Sequence, residues 1–185
     1  MKIINCILAA FLLASLTSCG RQQSTEIHVP GLKARKGVVE VEPIESSRVV
    51  AGQTIYVPAY SSVFTADRAH SFNLAVTLSI RNTDRTHPIV MTSASYYDQD
   101  GQLVRDYLTK PLRIAPMASA EFFVKESDTR GGVSASFLVE WVAEQKVSAP
   151  LVESVMIGTA STQGVSLTCP GRVLDDRRRG EKPAG

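Results

Sequence analysis

The side chains best suited to catalysis or metal binding are few in this chain, and they are widely spaced. The three histidines are His28, His70 and His87. His70 and His87 flank a predicted strand, residues 72–82, which would hold them about 30 Å apart. Ligands of one metal ion must all lie about 2 Å from it. The histidines are therefore expected in loops, and they predict no metal site.

A second candidate for metal binding is the segment Asp98-Gln99-Asp100-Gly101, which begins like a calcium loop. A complete EF-hand loop also requires a glutamate at its twelfth position. Thr109 occupies that position, and residues 103–108 are apolar enough to form a strand. A tight turn is the favoured interpretation, with a calcium-dependent binding module as the alternative.

Motifs of known catalytic sites are absent from the sequence. There is no Gly-x-Ser-x-Gly nucleophile elbow, no His-Glu-x-x-His zinc helix, no phosphate-binding loop and no Cys-x-x-Cys pair. We therefore predict no catalytic residue and no cofactor. The alternative is an envelope enzyme whose site is assembled from loops, with Asp98, Asp100, His70 or His87 as candidate residues.

The N-terminus carries the most specific motif of the sequence, Leu16-Thr17-Ser18-Cys19. It follows Lys2 and an apolar run of roughly ten residues, which is the length of a signal h-region. A membrane-spanning helix needs about twenty apolar residues, so this run is too short to remain as an anchor. The pattern is typical of a bacterial lipobox. It predicts a signal peptide over residues 1–18 and lipidation of Cys19, which becomes the first residue of the mature protein.

Lipidation would decide where the protein resides. Two or more acyl chains, palmitate among them, hold a protein firmly on a bilayer, because each buried methylene contributes about 0.8 kcal/mol. Gly20 follows the cysteine, whereas an Asp at that position commonly retains a lipoprotein in the inner membrane. We therefore expect an outer-membrane lipoprotein that faces the periplasm.

Cys169 is the other cysteine that the mature chain would contain. With Cys19 acylated, Cys169 has no partner for a disulfide within the chain. We expect it to be a small, partly buried apolar residue, with a reactive thiol as the alternative.

Composition favours one folded domain and excludes a nucleic-acid-binding protein. The chain has 185 residues, a formal net charge of +2 and 44% hydrophobic residues. This charge provides no basic surface for nucleic acid, and the apolar content is sufficient for a core. We predict a lipidated flexible tether over residues 19–48, a domain over residues 49–174 and a disordered charged tail over residues 175–185. Val38, Val39 and Val41 would also suit a short first strand within the tether.

Hydrophobic alternation predicts an all-β fold. Leu74, Val76, Leu78 and Ile80 alternate with smaller or polar side chains, which is the pattern of a strand with one wet face. The turn at residues 98–101 would join strands 89–97 and 103–108 into a hairpin. Further strands are predicted at residues 54–57, 112–114, 120–124, 133–142, 151–157 and 165–168. Seven or eight short strands at this spacing predict a single-domain antiparallel β-sandwich of immunoglobulin-like type.

Individual side chains in these strands carry further expectations. Pro58 removes a backbone donor, so the strand that contains it is expected at a sheet edge. Glu140 is expected on the solvent face of its strand and Trp141 in the core. Four tyrosines are expected in the core or in cross-strand pairs, and this is favoured over a shared aromatic surface. They are Tyr56, Tyr60, Tyr96 and Tyr97.

Five strings, in order along the chain, carry a resemblance to a known family. They are GQTIYVPAYSS (52–62), SIRNTD (79–84), YYDQDG (96–101), FLVEW (137–141) and ESVMIG (153–158). Over about residues 52–174 the chain resembles the bacterial lipoprotein family catalogued as domain of unknown function 3124. The resemblance implies an envelope protein with a compact β domain and implies no activity. A serine is more usual in this family at the position of Cys169, so the resemblance gives that residue no functional role.

Together, these observations predict a lipid-anchored lipoprotein of the bacterial cell envelope with a non-enzymatic β-sandwich. The expected role is binding or structural support, with the membrane as one partner through the lipid anchor. A further partner would be another envelope protein, a peptide or a glycan, docked along an edge strand such as residues 54–60.

Overall fold

Strands account for most of the fold. The computed structural model describes residues 35–159 and 164–178. Within these residues there are thirteen strands and two short 3-10 segments, Ser46–Arg48 and Thr129–Ser134. The strands are β1 (Val38–Glu40), β2 (Ala51–Ala59), β3 (Ser62–Phe64), β4 (Ser71–Asn73), β5 (Ala75–Arg81), β6 (Ile89–Tyr97), β7 (Leu103–Asp106), β8 (Leu112–Ile114), β9 (Ser119–Val124), β10 (Ala135–Ala143), β11 (Leu151–Gly158), β12 (Val165–Pro170) and β13 (Arg172–Arg178).

The strands form two antiparallel sheets and one separate hairpin. The seven-stranded sheet has the order β1-β8-β6-β10-β2-β13, with β7 paired to the C-terminal part of β6. The four-stranded sheet has the order β12-β11-β5-β9, and β3 pairs with β4. The apolar faces of the two sheets share one core, which confirms the predicted all-β antiparallel sandwich. The predicted number of strands is too low, because three-residue strands such as β3 and β4 are too short to show a periodic pattern.

Strand β5 and the residue before it show how alternation builds the core. Leu74, Val76, Leu78 and Ile80 are completely buried, as predicted. The side chains between them are partly exposed on the opposite face of the sheet. Because side chains alternate along a strand, one sequence supplies both a core face and an outer face.

Aromatic side chains connect the two sheets at the centre of the core. Tyr96 on β6 packs against Phe137 on β10 with ring centroids 4.8 Å apart. Tyr107, which follows β7, packs against Phe122 on β9 at 5.1 Å and lies 6.2 Å from Phe137. Since Phe122 and Phe137 belong to different sheets, the Tyr107 ring bridges them. Such aromatic pairs contribute about 0.5–1.5 kcal/mol beyond their burial.

One continuous ribbon closes a side of the sandwich. Strand β12 pairs with β11 in the four-stranded sheet, and β13 pairs with β2 in the seven-stranded sheet. Gly171 lies where the chain crosses from one sheet to the other, and its N–H donates to the Val152 oxygen at 2.8 Å. A Cβ at this position would lie 2.6 Å from Ile55 Cγ2. The crossing therefore requires glycine for its close approach to the core.

The predicted disordered tail is wrong over residues 175–178, which belong to β13. The register shifts between Val173 and Asp175, and backbone pairing with β2 then continues through Asp175 and Asp176. Asp176 Oδ2 also accepts a hydrogen bond from Gln53 Nε2 at 3.2 Å. Backbone pairing does not depend on apolar side chains, so a charged segment can extend a sheet edge.

The N-terminal boundary of the domain also differs from the prediction. Strand β1 lies within the range predicted as a tether, pairs with β8 and buries Val38 in the core. The alternative of a short first strand is confirmed for Val38 and Val39, whereas Val41 lies just after the strand. Cys19, the predicted signal peptide and His28 lie outside the described residues. No helix that the structure describes is long and apolar enough to cross a membrane.

Strand β2 is an interior strand, so the edge position predicted from Pro58 is wrong. It lies between β10 and β13. The pairing with β13 ends at Tyr56, and Pro58 lies beyond that point. The Pro58 oxygen accepts a hydrogen bond from Ser154 Oγ at 2.5 Å. The missing N–H costs no hydrogen bond to β13, because the pairing with that strand has already ended.

We predict that Leu78→Ala lowers the free energy of unfolding by about 2–5 kcal/mol, because it leaves a cavity at a fully buried position. The matched control is Thr77→Ala on the opposite face of the same strand, with an expected loss of at most about 1 kcal/mol. Urea unfolding followed by circular dichroism measures both. Equal losses would contradict the assignment of the two faces of β5.

Candidate functional site

The outer face of the four-stranded sheet carries a groove of about 630 Å³, which we name the sheet-face groove. Side chains from β5, β9 and β11 line it: Thr77, Ser79, Arg81, Ser119, Glu121 and Val155. The register places Ser79 opposite Glu121 on β9 and Glu153 on β11. Residues two apart on a strand point to the same side, so these side chains share one face.

Ion pairs cross the strands at one end of the groove. Arg81 Nη2 lies 3.2 Å from Glu153 Oε1, and Arg35 pairs with Glu121. Arg35 Nη2 also donates to the Ser119 oxygen at 2.9 Å. Exposed pairs contribute at most about 1 kcal/mol to stability. Their main effect is on the net charge of the surface. The two positive and two negative charges cancel, so this end of the groove offers hydrogen-bonding groups without a net charge.

The other end of the same sheet face is apolar. Phe123 on β9 is 45% exposed and Ile157 on β11 is 49% exposed. The register aligns Val155, Thr77 and Phe123 in one row across the three strands. An exposed aromatic ring beside hydrogen-bonding groups is the usual composition of a surface that binds a ligand.

Met117 forms the rim of the groove at its charged end. It is 68% exposed and has a φ of +58°, in the left-handed region that non-glycine residues rarely adopt. The turn around it is closed by a hydrogen bond from Ala118 N to the Ala115 oxygen at 3.1 Å. The Met117 N–H donates to the Asp84 oxygen at 3.1 Å, which anchors the turn to the loop after β5.

Asn82 and Asp84 anchor the loops at this end, and we name the two residues the Asn82–Asp84 hub. Asn82 Nδ2 lies within hydrogen-bonding distance of the backbone oxygens of His87 (2.9 Å), Ile114 (3.2 Å) and Ala115 (3.1 Å). Asn82 Oδ1 accepts from Asp84 N at 3.0 Å. Asn82 thereby connects the β5–β6 loop to the turn between β8 and β9.

The Asp84 carboxylate accepts three backbone hydrogen bonds. They come from Thr86 N at 2.9 Å, Ser148 N at 2.9 Å and His87 N at 2.8 Å. These bonds hold the pKa of Asp84 well below its ordinary value, since each of them favours the charged form. Ser148 lies between β10 and β11, so the hub ties a third loop to the same point.

The histidines and aspartates that were candidates for a loop-built site occupy three different loops. His87 Nδ1 lies 2.9 Å from Thr86 Oγ1, within the loop of the hub. His70 Nδ1 lies 2.7 Å from Asp67 Oδ1, in the loop between β3 and β4. Asp98 and Asp100 lie in the β6–β7 turn, so the structure does not bring the four residues to one site.

The segment from Asp98 to Gly101 forms the predicted turn. Asp98 Oδ1 accepts from Asp100 N at 2.9 Å and from Gln102 N at 2.8 Å, and Gly101 has a φ of +75°. Strand β7 starts at Leu103, where a calcium loop would supply further ligands. Across residues 35–159 and 164–178, no group of three or more His, Cys, Asp or Glu side chains could hold a metal ion.

The remaining candidate side chains have structural positions. Trp141 is buried and Glu140 is partly exposed, as predicted. Cys169 is half-buried and packs against the core, which agrees with the favoured interpretation. Tyr96 is a core residue, and its burial raises the pKa of the hydroxyl to about 12. Tyr56 lies on the outer face of the other sheet and is 38% exposed.

A smaller groove of about 440 Å³ lies on the seven-stranded sheet, where residues 44–50 cover part of its outer face. Arg48 Nη2 pairs with Glu144 Oε1 at 2.5 Å and Arg113 Nη2 lies 3.8 Å from Glu144 Oε2. The ion pair of Arg48 with Glu144, which directly follows β10, attaches the segment to the sheet. The second groove is therefore a seam between two parts of the fold, and the sheet-face groove is the better candidate for a ligand.

Comparison with known proteins places the chain in a family. A family model described as protein of unknown function (DUF3124) matches residues 52–174. The chain belongs to this family. The match confirms the resemblance to domain of unknown function 3124, and its description names no activity. None of the curated proteins compared with the chain matches it.

A solved structure with a low level of similarity is titled "Crystal Structure of Thermotoga maritima 1070". It is 11% identical, with a TM-score of 0.39, and the similarity covers 65% of this chain and 92% of that chain. We draw no conclusion from a similarity of this size. The part that matches the DUF3124 family contains the hub and all three strands of the groove, whereas Arg35 lies outside it.

The groove was not predicted from the sequence, although the alternation in β5 indicated part of its lining. Thr77, Ser79 and Arg81 are the polar half of the alternation in β5, which indicated only a wet face. Recognising a groove also requires β9 and β11 as neighbours, and sheet order is not readable from one strand. Pro116 indicates a turn before Met117. Nothing in the sequence indicates the positive φ of Met117.

We predict that Asp84→Asn lowers the melting temperature at pH 7, because an amide replaces the charged acceptor of three backbone hydrogen bonds. The pKa of Asp84 in the folded state lies below its ordinary value of 3.8. Its stabilising effect is therefore complete above about pH 4 and is lost as the pH falls through the lower folded-state value.

Calorimetry should give a difference in melting temperature between wild type and Asp84→Asn that is constant from about pH 7 to about pH 5. Below about pH 4 this difference should become smaller. Asp100→Asn, in the exposed β6–β7 turn, is the control and should have little effect. A difference for Asp84→Asn that does not change with pH would contradict this role of the carboxylate.

Proposed function

We propose that this protein is a lipid-anchored lipoprotein of the bacterial envelope, held in the outer membrane by acyl chains on Cys19 and facing the periplasm. The support is the lipobox Leu16-Thr17-Ser18-Cys19 after a short apolar run. Its β-sandwich serves as a non-enzymatic binding or structural module. Binding takes place on the outer face of the four-stranded sheet.

The sheet-face groove is the observation that supports binding. The groove supplies hydroxyl groups and the charged side chains of Arg81 and Glu121, and the sheet face beside it adds their ion-pair partners and the exposed phenyl ring of Phe123. A ligand with many hydrogen-bonding groups and apolar patches, such as a peptide or a glycan of the envelope, matches this composition. A strongly charged ligand does not, because Arg81 and Arg35 already have carboxylate partners.

Docking on the face is favoured over strand addition at the neighbouring edge. Strand β9 is an edge of the four-stranded sheet. Its Ser119 oxygen accepts from Arg35, and its Phe123 oxygen accepts from Tyr107 Oη at 3.4 Å. Backbone oxygens that already accept side-chain hydrogen bonds are poor templates for a new strand.

Binding is also favoured over catalysis on geometric grounds. A loop-built active site needs its acid, base or nucleophile within hydrogen-bonding reach of one another or of a shared substrate. His70, His87 and Asp98 each interact within their own loop instead.

For the anchor, we predict that Cys19→Ala shifts the protein from the membrane fraction to the soluble fraction, because no acyl chains can be attached. Metabolic labelling with radioactive palmitate, followed by fractionation, measures the change. Cys169→Ala removes the other cysteine of the mature chain and serves as the control, which should remain labelled and membrane-bound. Membrane association of Cys19→Ala equal to that of wild type would refute the anchor.

For the groove, we predict that a photo-crosslinking amino acid at position 79 captures a reproducible envelope component in living cells. The same group at position 100, in the β6–β7 turn, is the control and should capture none. Mass spectrometry of the adducts identifies the class of ligand. Adducts of equal yield at both positions, or none at position 79, would argue against binding in the groove.

A further inference from the structure

One end of the sandwich carries the first described residue, Arg35, and we name it the Arg35 end. Three segments meet there. Ala115 N donates to the Gly37 oxygen at 2.9 Å, and Met117 N donates to the Asp84 oxygen at 3.1 Å. The turn that carries Met117 is thus flanked by residues 35–37 on one side and by the loop after Asp84 on the other.

The Arg35 end carries two exposed cations outside its ion pairs. Three carboxylates of this end have partners: Glu121 pairs with Arg35, Glu153 pairs with Arg81, and Asp84 accepts backbone hydrogen bonds within the hub. Lys36 and Arg85 are exposed, and no carboxylate among the described residues lies within ion-pair distance of either. These two cations are left to interact with a partner outside the domain.

Met117 projects from the same end as its most exposed apolar side chain. It is 68% exposed, a larger fraction than that of any other large hydrophobic residue in the described part of the chain. Moving such an exposed apolar side chain out of water is favourable. An apolar tip between two cations is suited to the interface of a phospholipid bilayer.

The distance along the chain to Cys19 brings this end close to the anchor. Sixteen residues separate position 35 from position 19, so the two cannot be more than about 55 Å apart. Strand β6 starts near the Arg35 end, where Ile89 pairs with Ile114, and ends at the β6–β7 turn. Nine residues of strand place that turn about 30 Å farther away.

We infer that the Arg35 end rests on the membrane surface, with Met117 inserted among the lipid headgroups and with Lys36 and Arg85 on the phosphates of anionic phospholipid. This inference depends on the lipid anchor proposed above and adds an orientation to it. The sheet-face groove, which has Met117 at its rim, then opens beside the bilayer, and the β6–β7 turn points away from it.

The test uses the full-length mature lipoprotein in vesicles of phosphatidylethanolamine and phosphatidylglycerol. Met117→Cys in a Cys169→Ser background provides one free thiol for an NBD fluorophore, since Cys19 is acylated. Asp100→Cys in the same background is the matched control at the far end. We expect a blue-shifted emission and protection from iodide quenching for the label at 117, and neither for the label at 100.

Flotation of the vesicles is recorded in the same samples, so that two failures can be told apart. If the protein floats with the vesicles but iodide quenches the label at 117 as strongly as the label at 100, the inference is overturned and the anchor is not. Protein that does not float overturns the anchor and the inference with it. Equal protection of both labels also overturns the proposed orientation.

The cations are tested by Lys36→Glu combined with Arg85→Glu in the labelled protein. We expect the protection at 117 to decrease in anionic vesicles, because two attractive charges become repulsive. Vesicles of phosphatidylcholine alone should remove most of the difference between the two proteins. Protection that is unchanged by the substitutions would overturn the role assigned to Lys36 and Arg85.

Discussion

The arrangement of this domain at its Arg35 end depends on the hydrogen bonds of Asn82 and Asp84. These two side chains, with the Asp84 backbone oxygen, bind backbone groups of three loops that would otherwise lack partners at a nearly buried position. A buried backbone group without a partner costs about 1–3 kcal/mol, so the loops are held together by several such terms at once. Because Met117 and the rim of the sheet-face groove are attached to this hub, their geometry follows from it.

The two sides of the sandwich are closed by different physical means. On one side, the β12–β13 ribbon passes between the sheets at Gly171, where only a glycine fits against Ile55. On the other side, Arg35 interacts with Ser119 and Glu121 of edge strand β9. The outer face of the four-stranded sheet carries the groove, with an exposed phenyl ring on the same face, and the proposed ligand site therefore lies there.

Local patterns in the sequence predicted the elements that have a regular period. Strand β6 begins and ends at the predicted residues, 89 and 97, and the alternation of β5 identified four completely buried residues. Features that depend on neighbours were missed. Asp175 and Asp176 extend a sheet through backbone pairing that composition does not reveal, and Pro58 is tolerated in an interior strand because β13 ends before it. Lipidation of Cys19 rests on the sequence alone and stays a prediction.

The claim on which the proposed function depends is that the mature chain starts at an acylated Cys19. Mass spectrometry of protein extracted from membranes with detergent tests it most directly. We expect an N-terminal peptide that starts at Cys19 and carries the added mass of diacylglyceryl and amide-linked acyl groups. A peptide that retains residues 1–18, or one that contains Cys19 as a free thiol, would contradict the account.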